Sequence, residues 1–391
     1  MINSLYLFIS WLRHQRTRAV RLGLRVTGWK LLYKEQSDLF LQGYLIDEQP
    51  ASVVTLPDVA DTLNTDRQVF QAQDALTKPT YVWQLPASDT PAMLLSSGTV
   101  KFGNTILCPD YWNHHVLVDR LQPRPRTIVE VDTLVAPFGH IPDGITFGGY
   151  YDFIYLIFAK LCRIEKTLPE GFSNAAIAYP LFNTDYETEL LTLLGFTPDR
   201  IFDSRQVDVR SKRCLLANGG DWFHPNLSDL ALVYDRLQPL LVTDSQPPFS
   251  DRVFISRGGR RRIIHEDVVM NRLSEYDFTF IEDKPRTIAE QINLYHHASI
   301  ILGPHGASFS NINWCRPGTH LHELCSANYS PDFFLYLAQV RQMSYSVSLH
   351  GKVRRQSIRR SLVEDIPVTV SEIERVVERL LTAQLNGAEA R

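Results

Sequence analysis

The chain is 391 residues long, more than one hydrophobic core usually serves, so two domains are expected. With 44% apolar and 21% charged residues it has the composition of a globular chain, which excludes a disordered or fibrous one. A formal net charge of -3 excludes nucleic acid as the main partner, and five scattered cysteines give no disulfide framework and fit a reducing compartment.

Residues 1–42 form the first predicted segment. The apolar run Leu5-Tyr6-Leu7-Phe8-Ile9 leads into Trp11 and Leu12, then Arg13, Arg16, Arg18, Arg21 and Arg25. A secretion signal carries its positive charge before the apolar core and a small-residue cleavage site after it; here the order is reversed. No stretch approaches the roughly 20 apolar residues that span a bilayer. A cytoplasmic protein is expected. Its basic amphipathic N-terminus either lies on the anionic inner face of the membrane or packs on its own domain.

Residues 43–244 read as the first domain. From 43 to 145 Pro, Thr, Val and turn residues prevail without helical periodicity, and Tyr81-Val82-Trp83 and Val116-Leu117-Val118 read as strands. An apolar helix follows Gly148-Gly149, from Tyr150 to about Lys166. Ala175 to Ala178 reads as a strand and Tyr186 to Leu194 as a helix ended by Gly195. Ser245-Gln246-Pro247-Pro248-Phe249-Ser250 has the composition of a linker.

Residues 251–391 read as the second domain, with strands at Val253–Ile255, Phe278–Ile281, Ser299–Leu302 and around Leu321. Helices are predicted at His265–Leu273, at Pro331–Met343 and from a capping box of Thr287 and Glu290 to Ala298. Ser371 and Glu374 cap a last helix, 371–385, whose Ile373, Val376, Val377, Leu380 and Leu381 share a face and could pack back on the first domain. Alternating strands and helices mean an α/β fold with a parallel, doubly wound sheet.

Open parallel sheets bind ligands at the carboxyl ends of their strands, and two such ends are chemically loaded. The first is Ile255-Ser256-Arg257-Gly258-Gly259-Arg260-Arg261-Arg262. Guanidinium forks bind phosphate oxygens, and glycines let the backbone approach them. The second is Leu302-Gly303-Pro304-His305-Gly306-Ala307-Ser308-Phe309-Ser310-Asn311, a buried strand entering a Gly turn that opens a helix, whose free N–H groups suit an anion. Each could also be a solvated surface loop; together they make the stronger signal. Neither a GxGxxG fingerprint nor a Walker loop is present.

In these pieces the sequence resembles glycosyltransferase family 61. The resemblance rests on Ile255-Ser256-Arg257 with Arg261, Arg262 and Glu266, on Gly303-Pro304-His305-Gly306-Ala307 with Asn311, and on Leu321-His322-Glu323-Leu324. It is specific across residues 250–345, looser at the Gly149–Lys166 helix and His224-Pro225, and adds nothing over the first 80 residues. It implies a GT-B fold, two Rossmann-like doubly wound domains with the active site in the cleft between them, and inversion at the anomeric carbon. The first domain would then serve the acceptor and the second the nucleotide sugar. By position, Arg257 and Arg262 look like diphosphate ligands beside Arg261, and Gly303, His305, Gly306, Ala307 and Ser308 like the turn beneath the phosphates. Glu323 looks like the carboxylate that holds the ribose. The arginine loop is about two residues shorter than the family's, and His265 stands where many members have Asn. Asp152 stands where bacterial members often have His.

Inverting transfer needs a base to take the acceptor's proton. Asp152, the only charged residue from Gly148 to Ala159, is the first candidate, with desolvation expected to raise its pKa; the alternative is a first-turn acid complementing the helix dipole. Asp221 and His224 come next, then His114-His115. No DxD motif occurs, so metal-free neutralisation of the leaving diphosphate by arginines and a helix N-terminus is expected, with no cofactor. Cys315, His320, His322 and Cys325 could be written as a zinc site, but without a CxxC pair this is discounted. Arg354, Arg355, Arg359 and Arg360 read as solvated surface. The expected function is transfer of a sugar, from UDP first, to a glycan or glycolipid in capsule or surface polysaccharide assembly. The alternatives are a CMP-sugar transferase and a glycan-binding module on a degenerate transferase fold. Donor hydrolysis would separate enzyme from module.

Overall fold

In a computed structural model of the chain, the described residues are 28–87, 91–110, 127–138, 145–242 and 250–389, with position 142 and scattered positions before residue 28. His114, His115, the strand expected at 116–118 and nearly all of the linker lie outside them, as do the apolar N-terminal run and four of its five arginines.

The chain forms two compact units, one of residues 1–51 and 78–222, the other of 52–77 and 223–391. The boundaries differ from the expected 43–244 and 251–391. The chain passes into the second unit at Phe223 rather than at the proline-rich segment, and residues 52–77 also belong there. That excursion adds Val59–Asp61 to the edge of the second unit's sheet, where Val347 pairs with Asp61 and Asp61 Oδ1 accepts from the amide of Leu63 (2.9 Å).

The described residues of the first unit carry a ten-stranded sheet. Its centre is the parallel pair Ile128–Ala136 and Asp208–Ala217, in register from Ile128 with Asp208 to Ala136 with Leu216. Both strands begin with alternating burial and end fully buried, as strands covered first on one face and then on both. Ala176–Tyr179 and Ile201–Asp203 extend the parallel part, whereas Thr80–Leu85 and Ala92–Leu94 run antiparallel to Asp208–Ala217. The sheet is therefore mixed, with a parallel centre and antiparallel strands beside it.

The predicted apolar helix is present from Tyr150 to Lys166, with a π-helical stretch over Phe153–Phe158. Its later turns bury two cations. Lys160 Nζ meets Asp110 Oδ2 at 2.6 Å and the carbonyls of Pro137 and Phe138, so all three ammonium protons are used. Arg163 donates to the carbonyls of Tyr81 (2.8 Å) and Asn218 (3.1 Å). Satisfied in this way, the charges hold loops to the helix instead of costing an unpaired desolvation.

The second unit has a seven-stranded sheet ordered Thr279–Ile281, Arg252–Ile255, Ile300–Pro304, His320–Ser326, Ser344–His350, Val59–Asp61, Asn64–Phe70. All neighbours are parallel except the last pair. Strand order turns around at Arg252–Ile255, since the next strand in sequence lies to one side and the following one to the other. The crevice between the ends of Arg252–Ile255 and Ile300–Pro304 is thus a topological switch point. In the last helix, Val370–Glu389, Ile373, Val376, Val377 and Leu380 close the second unit's core over Phe254, Ile300, Leu302 and Leu324.

Alternate residues of two adjacent strands carry a hydrogen-bonded row of rings and hydroxyls. His320 Nε2 and His322 Nδ1 each lie 2.7 Å from Ser346 Oγ. His322 Nε2 is 3.0 Å from Ser348 Oγ, which is 2.8 Å from His350 Nε2. His350 Nδ1 reaches Glu372 Oε2 of the last helix at 3.4 Å.

Candidate active site

In the second unit the loop after Ile255 and the turn after Pro304 meet at the switch point. The close approach is visible at two glycines. A Cβ on Gly306 would fall 1.8 Å from Nη1 of Arg257, so the guanidinium lies directly over that backbone. A Cβ on Gly303 would fall 2.6 Å from the carbonyl oxygen of Ile255 on the neighbouring strand. Gly303 is needed for sheet packing, Gly306 for the arginine.

The loop is held in an uncommon conformation, with Arg261 (φ 60°) and His265 (φ 57°) in the left-handed region. Asn and His visit that region more readily than most residues, which gives a physical reason for either at position 265. Asp283 Oδ2 accepts from the amide of Gly258 (2.6 Å), and Glu266 Oε2 from the hydroxyl of Ser256 (2.6 Å). Arg257 Nε donates to the carbonyl of Arg260. Burial, then the charges of Arg261 and Arg260, pull Arg257 down to about 10, only weakly opposed by Asp283. Arg261 is buried over the ring of Tyr329 (5.2 Å) and is likewise lowered by burial. Both guanidiniums are thus largely desolvated, and the charge of Arg261 is felt at Arg257, an environment suited to an anion. Arg262 differs. It is exposed and paired with Asp365 at 3.0 Å, so Arg261 rather than Arg262 stands with Arg257.

His305 and Glu323 are both buried, with Nδ1 of the histidine 2.7 Å from Oε1 of the carboxylate. The other oxygen, Oε2, accepts from the hydroxyl of Tyr345 (2.6 Å). Glu323 is 0% exposed, with its two oxygens engaged by His305 and Tyr345. Burial lowers the pKa of His305, Glu323 opposes, and Arg261 and Arg257 add to the lowering. The ring sits among Tyr329, Phe333 and Phe334. Ala307 and Ser308 open the segment Ala307–Trp314, a 3₁₀ helix rather than an α-helix, with Gly306 before it.

The helix Phe333–Val340 links this turn to His224. Its preceding residue, Asp332, places Oδ2 3.2 Å from His224 Nε2, and the His224 ring leans on Tyr336 (4.9 Å). Phe223 stacks on Phe333 at 4.9 Å and 9°. His224, ranked behind Asp152 on sequence, therefore shares one unit and one aromatic cluster with His305.

Asp152 occupies the first unit and is engaged structurally. Its Oδ2 accepts from the amides of Gly148 (2.9 Å) and Gly149 (3.0 Å), and its Oδ1 from the indole of Trp222 (3.0 Å). These bonds tie the carboxylate to the start of its own helix and to Trp222. Asp221 lies 3.7 Å from Lys78 on the same unit.

Two metal arrangements can be judged geometrically. His320 and His322 alternate with Cys325 along one strand and so face opposite sides of the sheet, while Cys315 bonds the carbonyl of Tyr295; the four do not converge. Among the described residues, His305, Glu323 and Cys325 place ligand atoms within 4.8 Å of one another. There the carboxylate is already engaged by His305 and Tyr345, and burial, with the charge of Glu323, drives the Cys325 thiol well up.

Tyr345, Tyr329 and Asp332 were not anticipated from sequence. Asp332 alone left a signal, as a polar residue just before an apolar helix.

No curated protein matches the chain. A family model described as Glycosyltransferase 61 matches residues 59–322. Its span takes in the arginine loop and the Gly303–Ser308 turn and stops one residue before Glu323. No helix among the described residues is long and apolar enough to cross a membrane. With the family match covering more than half of its 391 residues, the chain belongs to glycosyltransferase family 61.

Proposed function

We propose that the protein is an inverting, metal-independent glycosyltransferase of the GT-B architecture. It would take a sugar from a nucleotide diphosphate donor, UDP first, and deliver it to a glycan or glycolipid hydroxyl in capsule or surface polysaccharide synthesis. The observation that carries this reading is the guanidinium of Arg257 seated over Gly306 at the switch point, with Arg261 beside it. Two guanidiniums suit a diphosphate better than the single phosphate of a CMP-sugar, and they supply the positive charge that a DxD-held cation brings elsewhere.

In this scheme Arg257 and Arg261 bind the donor's diphosphate and neutralise it as it leaves. Glu323 and Tyr345 fix the His305 ring under the phosphates. The acceptor's proton goes to His224 rather than Asp152. With Nε2–H directed at Asp332, the neutral imidazole is basic at Nδ1, and the carboxylate stabilises the imidazolium that forms. A calorimetric panel of UDP, GDP and CMP with the parent, Arg257→Ala and Arg261→Ala tests the donor site. Binding of a nucleoside diphosphate by the parent that both variants lose is expected. Binding left intact in both would sink the assignment.

A further inference from the structure

The segment 351–363, which leaves the strand Ser344–His350 at its carboxyl end, carries five cations, Lys352 and two arginine pairs, and no acid. Read as sequence, such arginines are solvated surface. The structure adds what lies between them. Val353 is 71% exposed, Ile358 68% and Val363 40%, so an aliphatic side chain stands in the open beside each pair. Arg354, Arg355, Arg359 and Arg360 are exposed as well.

The backbone beneath is tied down. Asn328 donates to the carbonyl of Lys352 (3.0 Å) and accepts from the amide of Arg354 (2.7 Å). Glu364 Oε2 collects Ser326, Asn328 and Gln356 at 2.9, 2.9 and 3.1 Å. The segment is also joined to the arginine loop of the donor site, through Ile366 N to Arg262 O (2.9 Å) and Ile264 N to Ile366 O (3.0 Å). Ile264 is itself 41% exposed. A pinned loop that displays alternating aliphatic and guanidinium groups is suited to a surface whose outer layer is anionic and whose next layer is apolar. A soluble polyanion would use the arginines and leave the aliphatics in water; a bilayer uses both.

We propose that this loop docks the protein on an anionic lipid bilayer, the arginines on headgroup phosphates and Val353, Ile358 and Val363 entering the acyl boundary. The surface is distinct from the N-terminal basic segment and independent of the donor-site reading. It would set the carboxyl edge of the second unit's sheet, where the arginine loop lies, against the membrane, the place where a lipid-linked acceptor is found.

The test is co-sedimentation of the full chain with phosphatidylcholine vesicles with and without phosphatidylglycerol. Three proteins are compared: the parent, Val353→Ser with Ile358→Ser, and Arg359→Gln with Arg360→Gln. The parent is expected to bind only the anionic vesicles. The arginine variant should lose about five-fold per removed charge, and the aliphatic variant should also bind more weakly with its charge unchanged. All four positions are exposed, so thermal unfolding should not move. Absence of parental binding, or parental binding kept by the arginine variant, overturns the proposal. Weakening by the arginine change alone overturns it too, because that is the behaviour of a site for a soluble polyanion.

Discussion

A methyl group added at Gly306 would sit 1.8 Å from Nη1 and 3.0 Å from Cζ of Arg257. The backbone there is extended (φ -171°, ψ 160°), which alanine adopts without strain. The clash is with the far end of a flexible side chain, so Gly306→Ala should fold normally and simply deny the guanidinium its seat. If that guanidinium binds the diphosphate, the variant loses a charge-assisted bond, about 1.5–3 kcal/mol, or about ten- to a hundred-fold in the Kd for a nucleoside diphosphate. Gly303→Ala is the matched control. There the added carbon meets backbone, the Ile255 carbonyl at 2.6 Å, and cannot be relieved by a rotamer change. Overpacking of this kind costs roughly 1–3 kcal/mol of stability, visible as a lowered Tm. Titration calorimetry and thermal unfolding of the two variants check both halves. Parental affinity in Gly306→Ala would refute the placement of Arg257 as phosphate ligand, and an unchanged Tm in Gly303→Ala would refute the packing argument.

His224→Gln should lower the transfer rate by roughly 10²–10⁴ while donor affinity stays near that of the parent; a parental rate removes His224 as the base. Asp152→Asn leaves one oxygen where two served three donors, so it should cost about 1–3 kcal/mol of stability; full stability with lost transfer would restore Asp152 as the base. Glu372 is held down to about 2 from its ordinary 4.5, chiefly by its hydrogen bond with His350 and against burial. A depressed carboxylate stabilises above its unfolded value and loses that contribution as pH falls through the folded one. The Tm gap between the parent and Glu372→Gln should therefore close from pH 4.5 toward 2, and a constant gap would contradict the assignment. Turnover should survive EDTA; loss that manganese restores would show a metal requirement.

What could be read in the sequence was what is local. Thr287 and Glu290 do form their capping box, and the helix Ile288–His297 follows it, because a cap depends on residues three apart. The two anion-suited strand ends could be recognised for the same reason. Pairing between distant segments could not. Residues 52–77 carry no sign that they leave one unit to edge the sheet of another. Nothing near Lys160 and Arg163 in sequence announces that Asp110, Tyr81 and Asn218 fold around them. The isolated acid Asp152 is buried, as an acid in an apolar run should be, but only the fold shows that two amides and the indole of residue 222 reach it. Glu323 needed Tyr345, from the next strand, before its second oxygen was seen to be occupied.

The row of imidazoles and hydroxyls from His320 to Glu372 has a sense of direction. An ionised Glu372 only accepts, so His350 donates from Nδ1, and with neutral rings its Nε2 takes the proton of Ser348. The Ser348 oxygen then accepts from Nε2 of His322, whose Nδ1 takes the proton of Ser346, and the Ser346 oxygen accepts from Nε2 of His320. Each tautomer follows from its neighbour, and no choice is left along the line. One proton arriving at Nδ1 of His320 would reverse every link in turn and come to rest on Nε2 of His350, beside Glu372. The row thus has two polarities and no stable mixture of them. Burial, which holds His320 at about 4 and His322 lower than an ordinary imidazole, keeps the uncharged polarity at rest. Replacing Ser348 by alanine would cut the line in two and release His322 from the tautomer that Glu372 imposes on it. The ring nitrogen shifts of His322 in an NMR spectrum would then change, although Glu372 never touches that residue.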